Sequence, residues 1–146
     1  MGYGFPAAIG AQCGRPKETV ICFDGDGSFQ MTQSELATAV YYKVPVKCFI
    51  MNNGYHGMVR QWQELFYNRR YSASELACAN PDFVKIAESY GALGLRIEKK
   101  REVVPMIEKA LKHNGPVVVD VHVAKQDNVY PMVPAGAALD QVMDMA

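Results

Sequence analysis

The stretch DGDGSFQMTQSE, Asp24 to Glu35, puts carboxylates and a hydroxyl where they could hold a divalent cation. Asp24, Asp26, Ser28 and Glu35 fall at positions 1, 3, 5 and 12 of a calcium-loop template. That template needs a helix before the loop and a glycine at its sixth position. Here the apolar run TVICF precedes the stretch and Phe29 stands sixth, so calcium is excluded. A strand that runs into a glycine-rich turn and then a helix suits a phosphate with its magnesium ion. In that setting Asp26 is the metal carboxylate, Gly25 and Gly27 allow close backbone approach and unusual dihedrals, and Ser28 with the following amides donates to phosphate oxygens. A carboxylate repels a diphosphate unless a cation lies between them. Magnesium accepts few carboxylates, and amide or carbonyl oxygens, water and phosphate oxygens complete its octahedron.

A second metal ligand belongs at the end of the next strand. VKCFIMN ends in Asn52-Asn53, separated from Gly27 by residues 28–51, and Gly54, Tyr55, His56 and Gly57 follow. One strand–helix–strand unit brings two such ends to the same sheet edge, where ligands of open α/β sheets bind. Alone, Asn52-Asn53-Gly54 also reads as a turn signal. His56, His113 and His122 have no metal-ligand spacing to another histidine or cysteine. His113 and His122 are therefore read as structural, and His56 is given a role through its backbone only.

Four apolar runs rich in β-branched residues read as buried strands: 19–23, 46–52, 93–97 and 117–123. Helical spacing lies between them. Leu36, Ala39 and Val40 mark a helix over 32–43, and Met58 to Phe66 a short one within the irregular segment 54–79. Phe83, Ile86, Ala87 and Tyr90 mark another, with Asn80 as N-cap, Pro81 at the first helical position and Gly91 as the stop. Val104, Ile107 and Leu111 mark a last helix ending near Asn114-Gly115. The alternation predicts an α/β fold with a doubly wound, mostly parallel sheet and helices on both faces. Residues 1–124 read as one binding domain and 125–146, with Pro131, Pro134 and Gly136, as a surface-wrapping arm. The opening MGYGFPAAIGAQCG reads as a small-residue helix packed closely on a neighbour, without a preceding strand, and suggests a piece of a longer polypeptide.

Fifteen basic and fifteen acidic residues cancel, which leaves no electrostatic footprint for nucleic acid or an anionic membrane. The longest basic run, Lys99-Lys100-Arg101, reads as a solvated helix start. No apolar run approaches the roughly 18 residues of a membrane span, and no signal or transit peptide is visible. Cys13, Cys22, Cys48 and Cys78 form no CxxC pair, and Cys22 and Cys48 lie in apolar runs, which favours free thiols and a reducing cytoplasm.

GDGS (25–28) with Asn52-Asn53 resembles the thiamine-diphosphate motif of the decarboxylase and synthase superfamily. MGYGFPAAIGAQ, ELATAV, NNGYHGMVRQWQELFY, NPDFVKIAESYGALGLRI and VYPMVPAGAALD narrow this. They resemble the catalytic subunit of acetolactate (acetohydroxyacid) synthase, over a stretch matching its C-terminal cofactor domain. The resemblance implies a transferase that condenses pyruvate, after decarboxylation, with pyruvate or 2-ketobutyrate, on the route to branched-chain amino acids. It implies magnesium on the side chains of Asp26 and Asn53 and on the main-chain carbonyl of Tyr55. It places diphosphate on the backbone at Gly27-Ser28 and His56-Gly57-Met58, gives Met31 the support of a bent thiamine, and sets Met1 against the pyrimidine.

By the same resemblance Met58, Val59 and Trp62 line a substrate channel. Read by spacing alone, Met58, Val59, Trp62 and Phe66 are a core stripe; the resemblance turns the reading to the channel. FAD and the glutamate that activates thiamine would sit in other domains, the glutamate in the pyrimidine domain of a partner subunit in a homodimer or tetramer. A small regulatory subunit is a further implied partner. The chain by itself is then expected to be inactive, and organellar rather than cytoplasmic if its source is a eukaryote. Another enzyme using thiamine diphosphate, such as a pyruvate oxidase or carboligase, and a non-catalytic binding module are the alternatives.

Overall fold

The four apolar runs form parallel strands β1 (Ile21–Gly25), β2 (Lys47–Asn52), β3 (Leu93–Ile97) and β4 (Val117–His122) in the order β1-β2-β4-β3. The computed structural model describes residues 1–144. Helices α1 (Gly4–Gly14), α2 (Asp26–Gln30), α3 (Leu36–Tyr41), α4 (Gly57–Phe66), α5 (Phe83–Tyr90) and α6 (Val103–Lys112) connect and cover them. Alternation along the strands splits the core in two. Cys22, Cys48, Ile50 and Val118 pack with Phe5, Phe29, Leu36 and Phe83 of α1, α2, α3 and α5. Phe29 stands edge-on to both Phe5 (5.2 Å) and Phe83 (5.9 Å), the favoured geometry of aromatic pairs. On the other face Phe49, Leu95, Ile97, Val117 and Val119 pack with Val103, Met106, Ile107 and Ala110 of α6. The doubly wound sheet with helices on both faces is therefore as the sequence predicts.

Lys47, at the start of a central strand, is buried. Its ammonium donates to the carbonyls of His113 (2.6 Å) and Gly115 (2.7 Å). A cation here suits the negative end of α6, and burial pulls its pKa below the ordinary lysine value. Gly94 lets α5 lie directly on β3, because a Cβ there would come 2.6 Å from the Val84 carbonyl oxygen.

Several expected elements differ. The first strand starts at Ile21 and runs to Gly25, because the Val20 amide is taken by Gln12 Oε1 (3.3 Å) and the register opens with Ile21 opposite Lys47. The helix expected over 32–43 opens with a 3-10 turn, Gln33–Glu35, before α3. Asn80 caps nothing. Asp82 caps α5, its Oδ1 accepting from the amides of Val84 (3.1 Å) and Lys85 (3.2 Å), while Gly91 ends the helix in the left-handed region at φ 90°. The last helix is phased differently from the expected face. Glu102 accepts from the Glu98 and Lys99 amides (3.0 Å each), which turns Val103, Met106, Ile107 and Ala110 inward and leaves Val104 and Leu111 exposed.

Beyond β4 the chain runs back over α4. Buried Gln61 holds Val129 by both of its backbone groups, donating to the carbonyl (2.9 Å) and accepting from the amide (2.8 Å). All four cysteines are free, Cys22 and Cys48 buried and Cys13 and Cys78 exposed. No described helix is long and apolar enough to cross a membrane.

Candidate functional site

The carboxyl edge of β1 and β2 gathers the polar residues. Asp26 starts α2 at the end of β1, and its side chain is turned inward, with the residue only 1% exposed. Its Oδ1 accepts from the Gly27 amide (3.0 Å). Its Oδ2 accepts from the Gly54 amide beyond β2 (3.0 Å) and from Asn80 Nδ2 (2.7 Å). Every one of these donors is neutral, and no lysine, arginine or histidine among the described residues forms an ion pair with it. A buried carboxylate without a counter-charge is costly, so this donor set suits a bound cation. Among the described residues there is no cluster of three histidine, cysteine or acidic side chains for a metal. A single carboxylate instead suits an ion that completes its coordination with neutral oxygens and phosphate.

Around Asp26 an open cavity of about 220 Å³ is lined by Met1, Gly25, Gly27, Ser28, Tyr55, His56, Gly57, Met58 and Val59. The structure thus assembles nearly all the residues that the sequence singled out. Met31, exposed just past α2, lines an adjoining cavity with Gln30, His56 and Leu76. Asn53 lines a different one beside Asn52 and Asn80; its Oδ1 accepts from the Tyr55 amide (3.0 Å). Ser28 Oγ accepts from the Gly2 amide (2.9 Å), which leaves its hydroxyl proton free to donate. Helix α4 starts at Gly57 with neither a side-chain cap nor an acidic residue in its first turn. Its leading amides have no partner within the helix, and Gly57, Met58 and Val59 line the cavity, an arrangement that suits an anion.

The two glycines do not serve as expected. Gly25 has φ −85°, and Gly27 is not among the glycines at positive φ, so neither uses a dihedral reserved for glycine. A Cβ on Gly25 would meet open space. On Gly27 it would lie 2.6 Å from His56 Cε1 and 2.8 Å from Leu76 Cδ1. The close approach that requires glycine at 27 is that of the His56 ring, so this histidine's side chain has a packing role that the spacing did not reveal.

Helix α4 inverts the usual pattern. Met58 is 50% exposed and Val59 is also exposed, whereas Arg60 and Gln61 are buried. Arg60 pairs with Glu64 (2.7 Å) and lies over the rings of Tyr55 and Tyr71. The apolar stripe is therefore not core. Met58, Val59 and Trp62, with Gln63, Tyr67, Arg70 and Ser72, line an open cavity of about 520 Å³ next to the Asp26 cavity, and Trp62 packs on Phe66 (4.9 Å). The two residues that sequence reasoning missed are Asn80, assigned to a helix cap, and Asn52, read only as the neighbour of Asn53. Asp82 caps as well as asparagine does, and it was the signal that would have freed Asn80.

A parallel α/β sheet whose carboxyl edge holds a buried, uncompensated carboxylate beside two helix starts has the layout of a domain that binds a phosphate-bearing ligand. The chain belongs to the thiamine pyrophosphate enzymes, as their C-terminal TPP binding domain: the model of that family matches residues 1–121. It is 44% identical over 145 residues to the acetolactate synthase large subunit of Cyanidium caldarium, covering 99% of this chain and 25% of that protein. It is 49% identical to the acetolactate synthase of Mycobacterium leprae, covering 97% of this chain and 23% of that protein. A solved structure, the thiamine diphosphate-dependent 4-hydroxybenzoylformate decarboxylase of Rhodococcus jostii RHA1, superposes with a TM-score of 0.80 at 31% identity, over 88% of this chain and 24% of that one. The chain thus spans about a quarter of the length of the relatives it matches.

Proposed function

We propose that this chain is the diphosphate- and metal-binding part of an acetolactate synthase catalytic subunit, a transferase. The observation that carries the reading is Asp26, a buried carboxylate held by neutral donors only, lining a cavity shared with the first residues of α2 and α4. In this reading Asp26, the side-chain oxygen of Asn53 and the Tyr55 carbonyl hold magnesium. Amides at Gly27-Ser28 and at His56-Gly57-Met58 hold the diphosphate, and Met31 and Met1 border the rest of the cofactor. When bound, thiamine diphosphate supplies the carbanion chemistry by which pyruvate, having lost carbon dioxide, joins a second 2-ketoacid. Met58, Val59 and Trp62 orient the ketoacids and exclude water.

The identities of 44% and 49% to acetolactate synthases, against 31% to the decarboxylase, favour this reaction over others that use the same cofactor. The activating glutamate and the FAD site belong to other domains of the assembled enzyme, and a pyrimidine domain of a partner subunit completes the pocket. The chain alone is therefore inactive. Exposed Cys13 and Cys78, which an oxidising compartment would modify, favour the cytoplasm or an organelle interior.

Calorimetric titration of the chain with thiamine diphosphate and magnesium tests the site, with Asp26→Ala and Asn53→Ala alongside. Both substitutions should weaken binding by more than about tenfold, since the loss of even an outer partner of a metal ligand does that much. Equal binding by all three overturns the metal-ligand assignment. The synthase assignment fails separately if neither the sequence encoded upstream nor a partner subunit supplies a glutamate-bearing pyrimidine domain.

A further inference from the structure

Asn80 lies in the segment before α5, 54 positions from Asp26 in the chain, yet its side chain is fully engaged at the site. Its Nδ2 donates to Asp26 Oδ2 (2.7 Å) and to Asn52 Oδ1 (3.2 Å), and its Oδ1 accepts from Gln30 Nε2 (2.8 Å). Asn52 Nδ2 in turn donates to Asp120 Oδ1 (2.9 Å). Asp120, buried on β4, takes Arg96 Nε on its other oxygen (3.2 Å), and Arg96 Nη2 reaches Asp82 at the start of α5 (2.6 Å). Five side-chain contacts therefore connect Asp26 to Asp82 through Asn80, Asn52, Asp120 and Arg96.

The carboxylates at the two ends fix both amide orientations. Asp120 accepts only, so Asn52 must turn its nitrogen there and its oxygen toward Asn80. Asp26 likewise accepts only, so Asn80 must offer its nitrogen. A flipped Asn80 would set oxygen against carboxylate and nitrogen against the Gln30 nitrogen. The result is an asymmetric carboxylate. Asp26 Oδ2 carries two N–H donors, from Gly54 and Asn80, while Oδ1 carries one, from Gly27. Donors on one oxygen fix the plane of the carboxylate and leave the other the better ligand.

We infer that Asn80 is a positioning residue for the metal carboxylate: it locks Asp26 by Oδ2, presents Oδ1 to the divalent cation, and ties that oxygen's position to the Asn52–Asp120–Arg96–Asp82 network at the ends of β4 and β3. This rests on the assignment of Asp26 as the metal ligand. Asn80 has no contact that calls for diphosphate, so its effect is on the metal.

The probe is magnesium with inorganic pyrophosphate, titrated into the 146-residue chain, and the variants are Asn80→Leu, of similar volume but without donors, and Asp26→Ala. Asn80→Leu should shift the magnesium midpoint upward by about 10- to 100-fold. Pyrophosphate affinity at saturating magnesium should recover toward the wild-type value, a split that general damage to the fold would not give. The side-chain amide resonances of Asn80 in the wild-type chain should move when magnesium and pyrophosphate bind, a readout that does not depend on the variant folding. An unchanged magnesium midpoint in folded Asn80→Leu, an equal loss of pyrophosphate affinity at all magnesium concentrations, or amide resonances that stay in place overturns the inference. If Asp26→Ala also binds magnesium and pyrophosphate like the wild type, or the wild type binds neither, the metal-ligand assignment itself fails.

Discussion

Asp26 Oδ2 and the Gly54 amide meet at 3.0 Å across 28 positions of the chain, which fastens the end of β1 to the end of β2. The carboxylate that would hold a metal is thus also a cross-strand clasp, and metal binding is linked to folding. Magnesium with pyrophosphate at a hundredfold excess over its dissociation constant should stabilise the chain by about 2.7 kcal/mol, and thermal denaturation should show a rise of several degrees. Chelation with EDTA should return the transition to its starting temperature. An unchanged midpoint in saturating ligand would contradict the linkage.

Gly27→Ala should be destabilising for a reason that lies in another residue. Its new methyl would collide with the His56 ring and Leu76. Overpacking of this kind costs about 1–3 kcal/mol. Replacing the ring in the double variant Gly27→Ala/His56→Ala should recover part of the loss, so the two substitutions should be non-additive. Urea denaturation of the three variants measures the coupling, and simple additivity would show that the ring is not the obstacle.

Gln61→Leu should release the C-terminal arm while the sheet stays folded. The substitution strands both backbone groups of Val129 that Gln61 now satisfies. Each lost partner costs about 1–3 kcal/mol if its group remains buried, so the arm should detach and hydrate. Limited proteolysis should then cut within 125–140 faster than in the wild type, with little change in the main thermal transition. Equal cleavage rates would assign the arm's attachment to other contacts.

The sheet was legible because parallel strands buried on both faces read as near-continuous apolar runs, as VKCFIMN and VVVDVHV do apart from Lys47, Asn52, Asp120 and His122. The carboxylate at Asp26 was legible because strand, Gly-Asp-Gly and helix are adjacent in sequence. Asn80 was not. Its partners, Asp26 and Asn52, come from distant parts of the chain, and Asn80-Pro81 locally imitates a cap followed by a first helical residue. The face of α6 was hidden for a related reason. Its phase is set by the Glu102 carboxylate on two amides, whereas Val104, Ile107 and Leu111 fit helical periodicity equally well. On α4 the spacing put Met58, Val59 and Trp62 on one stripe, but periodicity cannot tell a stripe facing a core from one facing a cavity.

Asp82 couples the cap of α5 to Arg96, and this contact should give stability a dependence on acid. Partial loss of solvation raises the Asp82 pKa, but the Lys85 amide and the Arg96 guanidinium outweigh it and hold the carboxyl below the ordinary aspartate range. A carboxyl with a depressed folded-state pKa binds fewer protons folded than unfolded. Its contribution is therefore complete above the unfolded value of about 3.9 and is lost as pH falls below that through the folded-state value. Because the side chain is one-third exposed, solvent screening keeps the effect modest. Asp82→Asn isolates the charge, since asparagine caps a helix as well as aspartate does. Urea denaturation should show a gap in favour of the wild type at about pH 6 that is already narrower at about pH 3, below the unfolded value, and goes on closing as pH falls through the folded-state value. A gap of the same size at both pH values would mean that the Arg96 contact contributes through shape and not through charge.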